Sequence, residues 1–290
     1  MPLPYAAAHT LLRVVAVVHN SEETSVTGST QYDVQALKVG ECDVLGPEVY
    51  WMDRWTEWET LYFYMVVIRS AKHTIVVNSG PPRDLTVLNE RWSGAFGERG
   101  KLRRVEMERP ERALASVGVK PEEVDYLLIT PLQAYATANI PMFRNATVCI
   151  SKRGWIEDYH APKFPLHVPR ELRVPNDVMT YLITEGSERV RLLEDEDEVL
   201  PGITAFWAGT HHRSSMVYAI ETAKGKVMIT DCCFKYGNVE GTHPHPLGIA
   251  ESLEEFYTAV GRMRREGDII IPLYEPEVMT RFPGGVVAHG

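Results

Sequence analysis

The sequence predicts an α/β protein built as a four-layer αββα sandwich, in which two mixed β-sheets pack face to face and helices cover both outer faces. Short apolar runs rich in β-branched and aromatic residues recur in both halves of the chain. Each half also contains a helical segment, and a long stretch rich in prolines and polar residues separates the halves. This order fits a sandwich of two similar halves better than a single wound sheet of alternating strands and helices.

We interpret residues 1–30, which end in the polar stretch SEETSVTGST, as an N-terminal extension. We expect it to pack on the outside as a helix, and we expect residues 31–290 to form one domain. Pro110 and Gly118 mark the start and end of a helix in the segment PERALASVG. The strands predicted in this half of the domain are VQALKVG, LYFYMVVI, HTIVVNSG, VDYLLIT and ATVCIS, of which the second and third suit an antiparallel pair.

Residues 151–198 are predicted to form a mostly helical insertion that covers one face of the domain. The segment carries several aromatic residues and prolines, and it ends in the acidic run EDEDE, which is typical of a solvated turn. The segment AESLEEFYTAVGRMRREG then predicts an amphipathic helix, because its apolar residues recur every three or four positions. The strands predicted after the insertion are GITAFWAG, SMVYAIET, KVMITD and DIIIPLYEP.

The composition excludes several classes of function. With a net charge of −9, the chain lacks the basic surface that binds nucleic acid or an anionic membrane, so neither is expected as a partner. No apolar run reaches the roughly 18 residues that span a bilayer. The 4 cysteines include no CxxC pair, which favours a reducing, cytoplasmic setting. We therefore expect a small molecule as the partner.

Several segments resemble, in the same order, landmarks of the metallo-β-lactamase superfamily, within it the branch of N-acyl homoserine lactonases. HTIVVNSG resembles the strand that ends in Val-Asp-Thr-Gly, and VDYLLIT the strand before the metal-binding His-x-His-x-Asp-His turn. AFWAGTHHRSS resembles the segment with Gly-His-Thr-x-Gly-Ser, and VMITDCC the strand whose aspartate bridges two metals. The resemblance covers about residues 34–283. It implies the metallo-β-lactamase fold, and dimerisation, since relatives with this insertion often form homodimers.

The resemblance also implies a two-metal centre, but the ligand positions hold other residues. TPLQAYAT stands where the family has Thr-His-Leu-His-Ala-Asp-His, so Pro131, Gln133, Tyr135 and Ala136 replace ligands. Asn78 stands where the family has an aspartate, and Tyr274 stands where it has its last histidine. Only two ligand positions keep their residue type, namely His211 and Asp231. Each metal ion needs about three suitable protein ligands, so we expect no normal two-metal centre.

Two hypotheses follow from these substitutions. The first is a lactonase-like hydrolase or lyase that acts on a small carbonyl compound or lactone. In this hypothesis His211, paired with Asp231, is the general base, and Tyr135 and Tyr274 donate hydrogen bonds to an oxyanion. No cofactor is expected beyond at most one weakly held divalent ion on His211 and Asp231. The second hypothesis is a non-catalytic protein of the same fold that binds a ligand or partner. We favour the enzyme, and the residues predicted to contact its substrate are Gln133, His212, Trp55 and Trp58.

Overall fold

A computed structural model describes residues 31–163 and 168–289, so the predicted N-terminal extension lies outside the described residues. The chain forms two mixed sheets. The strands are β1 (Asp33–Leu45), β2 (Trp58–Arg69), β3 (Thr74–Val77), β4 (Tyr126–Leu128), β5 (Thr147–Ser151), β6 (Val190–Leu193), β7 (Glu196–Leu200), β8 (Ile203–Trp207), β9 (Met216–Thr222), β10 (Gly225–Thr230), β11 (Ile269–Pro272) and β12 (Val286–Ala288).

The two sheets differ in size and contain both strand directions. The larger has seven strands in the order β12-β1-β2-β3-β4-β5-β6, antiparallel from β12 to β3 and parallel from there to β6. The smaller has five strands in the order β11-β10-β9-β8-β7, of which only β11 and β10 run parallel. The predicted antiparallel pair is confirmed as β2 and β3.

Helices connect and cover the sheets. The α-helices are α1 (Gly46–Val49), α2 (Thr86–Phe96), α3 (Pro110–Ser116), α4 (Ala134–Thr137), α5 (Lys152–Gly154), α6 (Asn176–Ile183), α7 (Leu253–Glu266) and α8 (Val278–Arg281), and a π-helix spans Trp155–His160. Short 3-10 helices occupy Gly97–Gly100, Glu106–Glu108, Pro121–Glu123, Ile140–Met142, Arg170–Leu172, Ser187–Arg189, Tyr236–Asn238 and Pro283–Gly285.

The predicted class, two mixed sheets with helices outside them, is confirmed. The sheets meet through apolar side chains and through buried polar contacts, of which one joins the Tyr218 hydroxyl on β9 to the Ile129 carbonyl oxygen after β4, at 2.9 Å. Helix α7 buries Phe256, Val260 and Met263, which the apolar spacing predicts. Ser252 caps this helix, since its hydroxyl accepts a hydrogen bond from the Glu255 amide.

The predicted C-terminal boundary of the helical insertion is wrong. Helices dominate residues 152–163 and 168–189, but β6 and β7 occupy most of the remaining stretch that the prediction assigned to the insertion and its acidic turn. They are edge strands, one in each sheet. Edge strands tolerate charged residues on their solvated face, so the acidic run EDEDE hides a strand. Helix α2 and strand β12 were not predicted either.

No helix among the described residues is long and apolar enough to cross a membrane. All 4 cysteines are free and buried. The homodimer and the cytoplasmic location stay predictions.

Candidate active site

A cavity of about 1040 Å³ opens where several strands end, at their carboxyl-terminal side. Gln133 and Tyr135 reach it from the turn after β4, and Tyr274 reaches it from the residues after β11. His211 reaches it from the loop between β8 and β9. Side chains that are distant in sequence therefore share one chamber, because the strands that carry them end at the same edge of the sandwich.

Asp231, directly after β10, is fully buried and is held by three donors. Its Oδ2 accepts hydrogen bonds from the Ser215 hydroxyl at 2.6 Å and from His211 Nδ1 at 3.0 Å. Its Oδ1 accepts a hydrogen bond from the Thr130 hydroxyl. Since a carboxylate only accepts, the proton of the imidazole lies on Nδ1, and Nε2 on the opposite edge of the ring keeps its lone pair. The pair thus fixes both the tautomer and the orientation of His211.

The backbone around Thr130 is fixed by Asn78. The Asn78 side chain accepts a hydrogen bond from the Thr130 amide at 2.9 Å and donates one to the Thr130 carbonyl at 2.8 Å. Asn78 itself has a φ of 62°, a left-handed conformation that asparagine tolerates better than most residues. This double contact places the Thr130 hydroxyl against Asp231.

Tyr135 and Tyr274 belong to an aromatic wall of the cavity. Their rings meet edge to face with centroids 6.1 Å apart, and each also contacts Phe63. The Tyr274 hydroxyl is buried near that of Tyr135 but outside hydrogen-bonding geometry, and among the described residues it has no partner. Burial raises the pKa of both phenols well above 10.0, and the negative charge of Asp231 raises it further. Both side chains therefore remain protonated and can donate a hydrogen bond into the cavity.

Two of the four predicted substrate contacts line the cavity. Gln133 is 3% exposed and lies beside Tyr135 in the turn after β4. The ring of His212 packs against that of His211 at a centroid distance of 4.0 Å. Burial lowers the pKa of His212 well below 6.5, and the neighbouring His211 acts in the same direction, so the His212 imidazole is neutral.

Trp55 and Trp58, the other two predicted substrate contacts, do not line the cavity. Successive side chains on a strand point to opposite faces. On β2 the face toward the cavity carries Leu61 and Phe63, so Trp58 points to the other face, where the Arg99 guanidinium lies over its ring at 4.3 Å. Trp55 lies in the preceding turn and is 62% exposed. The aromatic contacts that the sequence missed come from α2, which supplies Trp92 and Phe96.

A second polar group lines the cavity beyond His212, and the sequence reasoning did not find it. We call the carboxyl groups of Glu157, Asp158, Glu251 and Glu255, together with Arg213, the acidic wall. Arg213 binds the Glu255 carboxylate with two contacts of 2.7 and 3.1 Å and binds Glu157 at 3.1 Å.

Burial controls the ionisation of two carboxyl groups in the acidic wall. It raises the pKa of Asp158 from 3.8 to about 6, although the nearby Ser214 hydroxyl and Arg213 act in the opposite direction. Burial also raises the pKa of Glu251 to about 7, and the negative charge of Asp158 adds to this effect. The Asp158 atom Oδ2 is buried and has no hydrogen-bond partner among the described residues.

Comparisons with known proteins agree with the architecture. No family model matches the chain. An N-acyl homoserine lactonase of Bacillus cereus is 25% identical over 181 residues, which are 61% of this chain and 66%, just under two thirds, of that protein.

Solved structures match over most of the chain. An N-acyl homoserine lactone hydrolase, with its product N-hexanoyl-L-homoserine at the catalytic metal centre, superposes with a TM-score of 0.69 at 18% identity, over 88% of this chain and 98% of that one. A probable metal-dependent hydrolase from Staphylococcus aureus superposes with a TM-score of 0.65 at 15% identity, over 85% and 90% of the two chains. The chain therefore has the metallo-β-lactamase fold, and within that fold it is similar to the N-acyl homoserine lactonases.

Proposed function

We propose that the cavity hydrolyses a small carbonyl compound or lactone without a two-metal centre. His211 is the base, Asp231 orients it, and Tyr135 and Tyr274 donate hydrogen bonds to the oxyanion. The observation that carries this proposal is the contact between His211 Nδ1 and Asp231 Oδ2 at 3.0 Å, beside an open cavity. The lactonases named above support the reaction class, because hydrolysis of a lactone ring is their activity.

The chemistry of the donors supports a reaction without two metals. Pro131 and Ala136 have no ligating atom, and the phenols of Tyr135 and Tyr274 are held protonated by burial. A single ion on His211 and Asp231 does not fit either. Nδ1 already faces the carboxylate, so an ion at Nε2 would lie on the far side of the ring from Asp231. These residues do not fit the metal centre that the resemblance implies.

The proposed step uses only groups that line the cavity. Nε2 of His211 takes a proton from a water molecule as its oxygen attacks the carbonyl carbon. The carbonyl oxygen becomes an oxyanion, which accepts hydrogen bonds from the phenols of Tyr274 and Tyr135. When the ring carbon–oxygen bond breaks, the imidazolium returns the proton to the leaving oxygen, so the products are a hydroxyl and a carboxyl group. Asp231 stabilises the imidazolium throughout without taking the proton.

The test is turnover of a panel of γ- and δ-lactones, including N-hexanoyl-L-homoserine lactone, by protein that is purified in chelator and analysed for metals. We expect turnover without bound metal. We expect His211→Gln to lower kcat/KM by about 100-fold or more, the usual contribution of a positioned base. Glu254→Gln, which removes an exposed carboxylate outside the cavity, is the matched control and should keep the wild-type value.

Turnover that is lost in chelator and restored by Zn²⁺ would overturn the proposed mechanism. Tight binding of the same lactones without any turnover would instead favour the alternative function, a non-catalytic protein that binds a ligand in this cavity.

A further inference from the structure

The acidic wall carries more negative charge than its own cations neutralise. Of the cations that line the cavity, only Arg213 and Lys163 form ion pairs with the four carboxyl groups of this wall. Arg213 is used by Glu255 and Glu157, and Lys163 binds Glu157 at 3.1 Å. The negative charges of the other two carboxyl groups, those of Asp158 and Glu251, are less well neutralised by cations.

Neither of these two carboxyl groups has a close cationic partner. Glu251 lies 3.7 Å from Arg213 and 4.0 Å from Nδ1 of the neutral His212. Asp158 is 8% exposed, and its Oδ2 has no hydrogen-bond partner among the described residues. Buried carboxylate oxygens in folded proteins are almost always paired, so an unpaired one in a residue of the cavity wall marks the place of a missing donor.

We propose that Asp158 and Glu251 bind the primary ammonium group of the substrate, at the end of the cavity beyond His212. An alkylammonium supplies one positive charge and three N–H donors, which matches the unpaired Oδ2 of Asp158 and the Glu251 carboxylate, whose nearest cation lies 3.7 Å away. Among the described residues, no group of three or more His, Cys, Asp or Glu side chains is arranged to hold a metal ion, so an organic cation is the better match.

The size of the cavity agrees with a substrate that has two polar ends, a carbonyl group and an ammonium group. Its volume of about 1040 Å³ exceeds what a bare lactone ring fills. His212 lies between the two polar groups, since its ring packs on His211 and its Nδ1 approaches Glu251. The aromatic wall of Phe63 and Trp92 offers an apolar surface for the chain that joins the ends. Resting on the proposed function, this assigns the substrate class as a lactone or other carbonyl compound with an aliphatic ammonium group.

The binding test does not depend on turnover. Hexylammonium and hexan-1-ol have the same alkyl chain and differ in charge, and calorimetry at pH 8 gives the affinity of each. We expect wild type to bind hexylammonium at least 10-fold more tightly than hexan-1-ol. Asp158→Asn keeps the shape of the side chain. We expect it to lower the affinity for hexylammonium at least 10-fold and to change the affinity for hexan-1-ol less than twofold. Glu254→Gln is again the control and should change neither affinity.

Three results would overturn the assignment. The first is equal affinity of wild type for the two probes. The second is an equal loss of affinity for both probes in Asp158→Asn, which would indicate a deformed cavity. The third is binding of Mn²⁺ that competes with hexylammonium and disappears in Asp158→Asn, which would make this a metal site.

A third variant separates this inference from the proposed reaction. His211→Gln should lose turnover and keep the wild-type affinity for hexylammonium. A wild-type protein that hydrolyses lactones but prefers hexan-1-ol refutes only the ammonium site. Tight hexylammonium binding without any lactone turnover refutes only the proposed reaction.

Discussion

Two buried aspartates contrast sharply, Asp231 behind His211 and Asp158 in the wall of the cavity. Asp231 accepts hydrogen bonds from Thr130, Ser215 and His211, and no part of it is exposed. Asp158 is 8% exposed and has an oxygen that finds no partner among the described residues. The fold therefore provides every donor that Asp231 needs, whereas it leaves Asp158 short of one.

The difference indicates different roles for the two carboxyl groups. A buried charge is tolerated when hydrogen bonds replace the lost water, so Asp231 belongs to the framework that orients His211. A buried carboxyl group without such bonds has a raised pKa and destabilises the folded chain when it ionises. Such a cost is common at sites that bind ligands, and substitutions at the two positions should therefore change stability in opposite directions.

The largest effect is expected for Asp231→Asn. The asparagine amide presents a donor where three donors already point, so hydrogen bonds are lost and polar groups stay buried without partners. We expect the free energy of unfolding to fall by about 3 kcal/mol. Urea unfolding followed by circular dichroism measures the change, with Glu254→Gln as the control that stays within about 0.5 kcal/mol of wild type. A loss below about 1 kcal/mol would show that the three hydrogen bonds do not stabilise the fold.

Asp158→Asn should stabilise the ligand-free protein at pH 8, by about 2 kcal/mol. The pKa of Asp158 is raised in the folded chain from 3.8 to about 6. The folded state therefore holds the proton more tightly than the unfolded state, and its advantage, complete below pH 3.8, is lost as the pH rises through 6. The asparagine variant avoids this loss.

The pH dependence provides the check on that prediction. The difference in unfolding free energy between Asp158→Asn and wild type should grow from pH 4 to pH 7 and then level off. Urea unfolding at several pH values measures it. A difference that is the same at pH 4 and pH 8 would contradict the raised pKa and would weaken the contrast between the two aspartates.

A smaller effect is expected for Asn78→Ala, which tests how Asp231 obtains one of its donors. The substitution removes both hydrogen bonds to the Thr130 backbone and places alanine at a φ of 62°, so we expect a loss of about 2 kcal/mol in urea unfolding. Asn78→Gly loses the same hydrogen bonds but accepts the backbone conformation, so its loss should be about 1 kcal/mol smaller. Equal losses would show that the conformation at position 78 has no cost.

The smallest effect concerns the apolar surface between the two aspartates. Trp92→Leu should weaken hexan-1-ol binding about fivefold, because it removes roughly 1 kcal/mol of apolar contact from the cavity. Trp58→Leu should leave the affinity within twofold of wild type, since that side chain points to the other face of β2. Calorimetry with the same probe measures both. A stronger loss from Trp58→Leu would show that the sequence interpretation of that residue was right.

The sequence was sufficient for the periodic elements and for the loss of ligand types. Apolar runs rich in β-branched and aromatic residues predicted β2, β9 and β10, and the spacing along α7 predicted its buried face. The sequence failed to predict the edge strands β6 and β7, of which β7 overlaps the acidic run, because each is completed only by its neighbouring strand. A propensity argument has no access to a partner strand that is distant in the chain.

By itself the sequence determined the two-sheet class, the resemblance to lactonases, and the presence of Pro131, Gln133, Tyr135 and Ala136 where the family has metal ligands. These are properties of residue identity and local order. Only the tertiary structure decided that Asp231 has three donors while Asp158 lacks one. The partners of a buried carboxylate come from strands and loops far apart in sequence, and burial, which sets its ionisation, exists only after those segments have packed together.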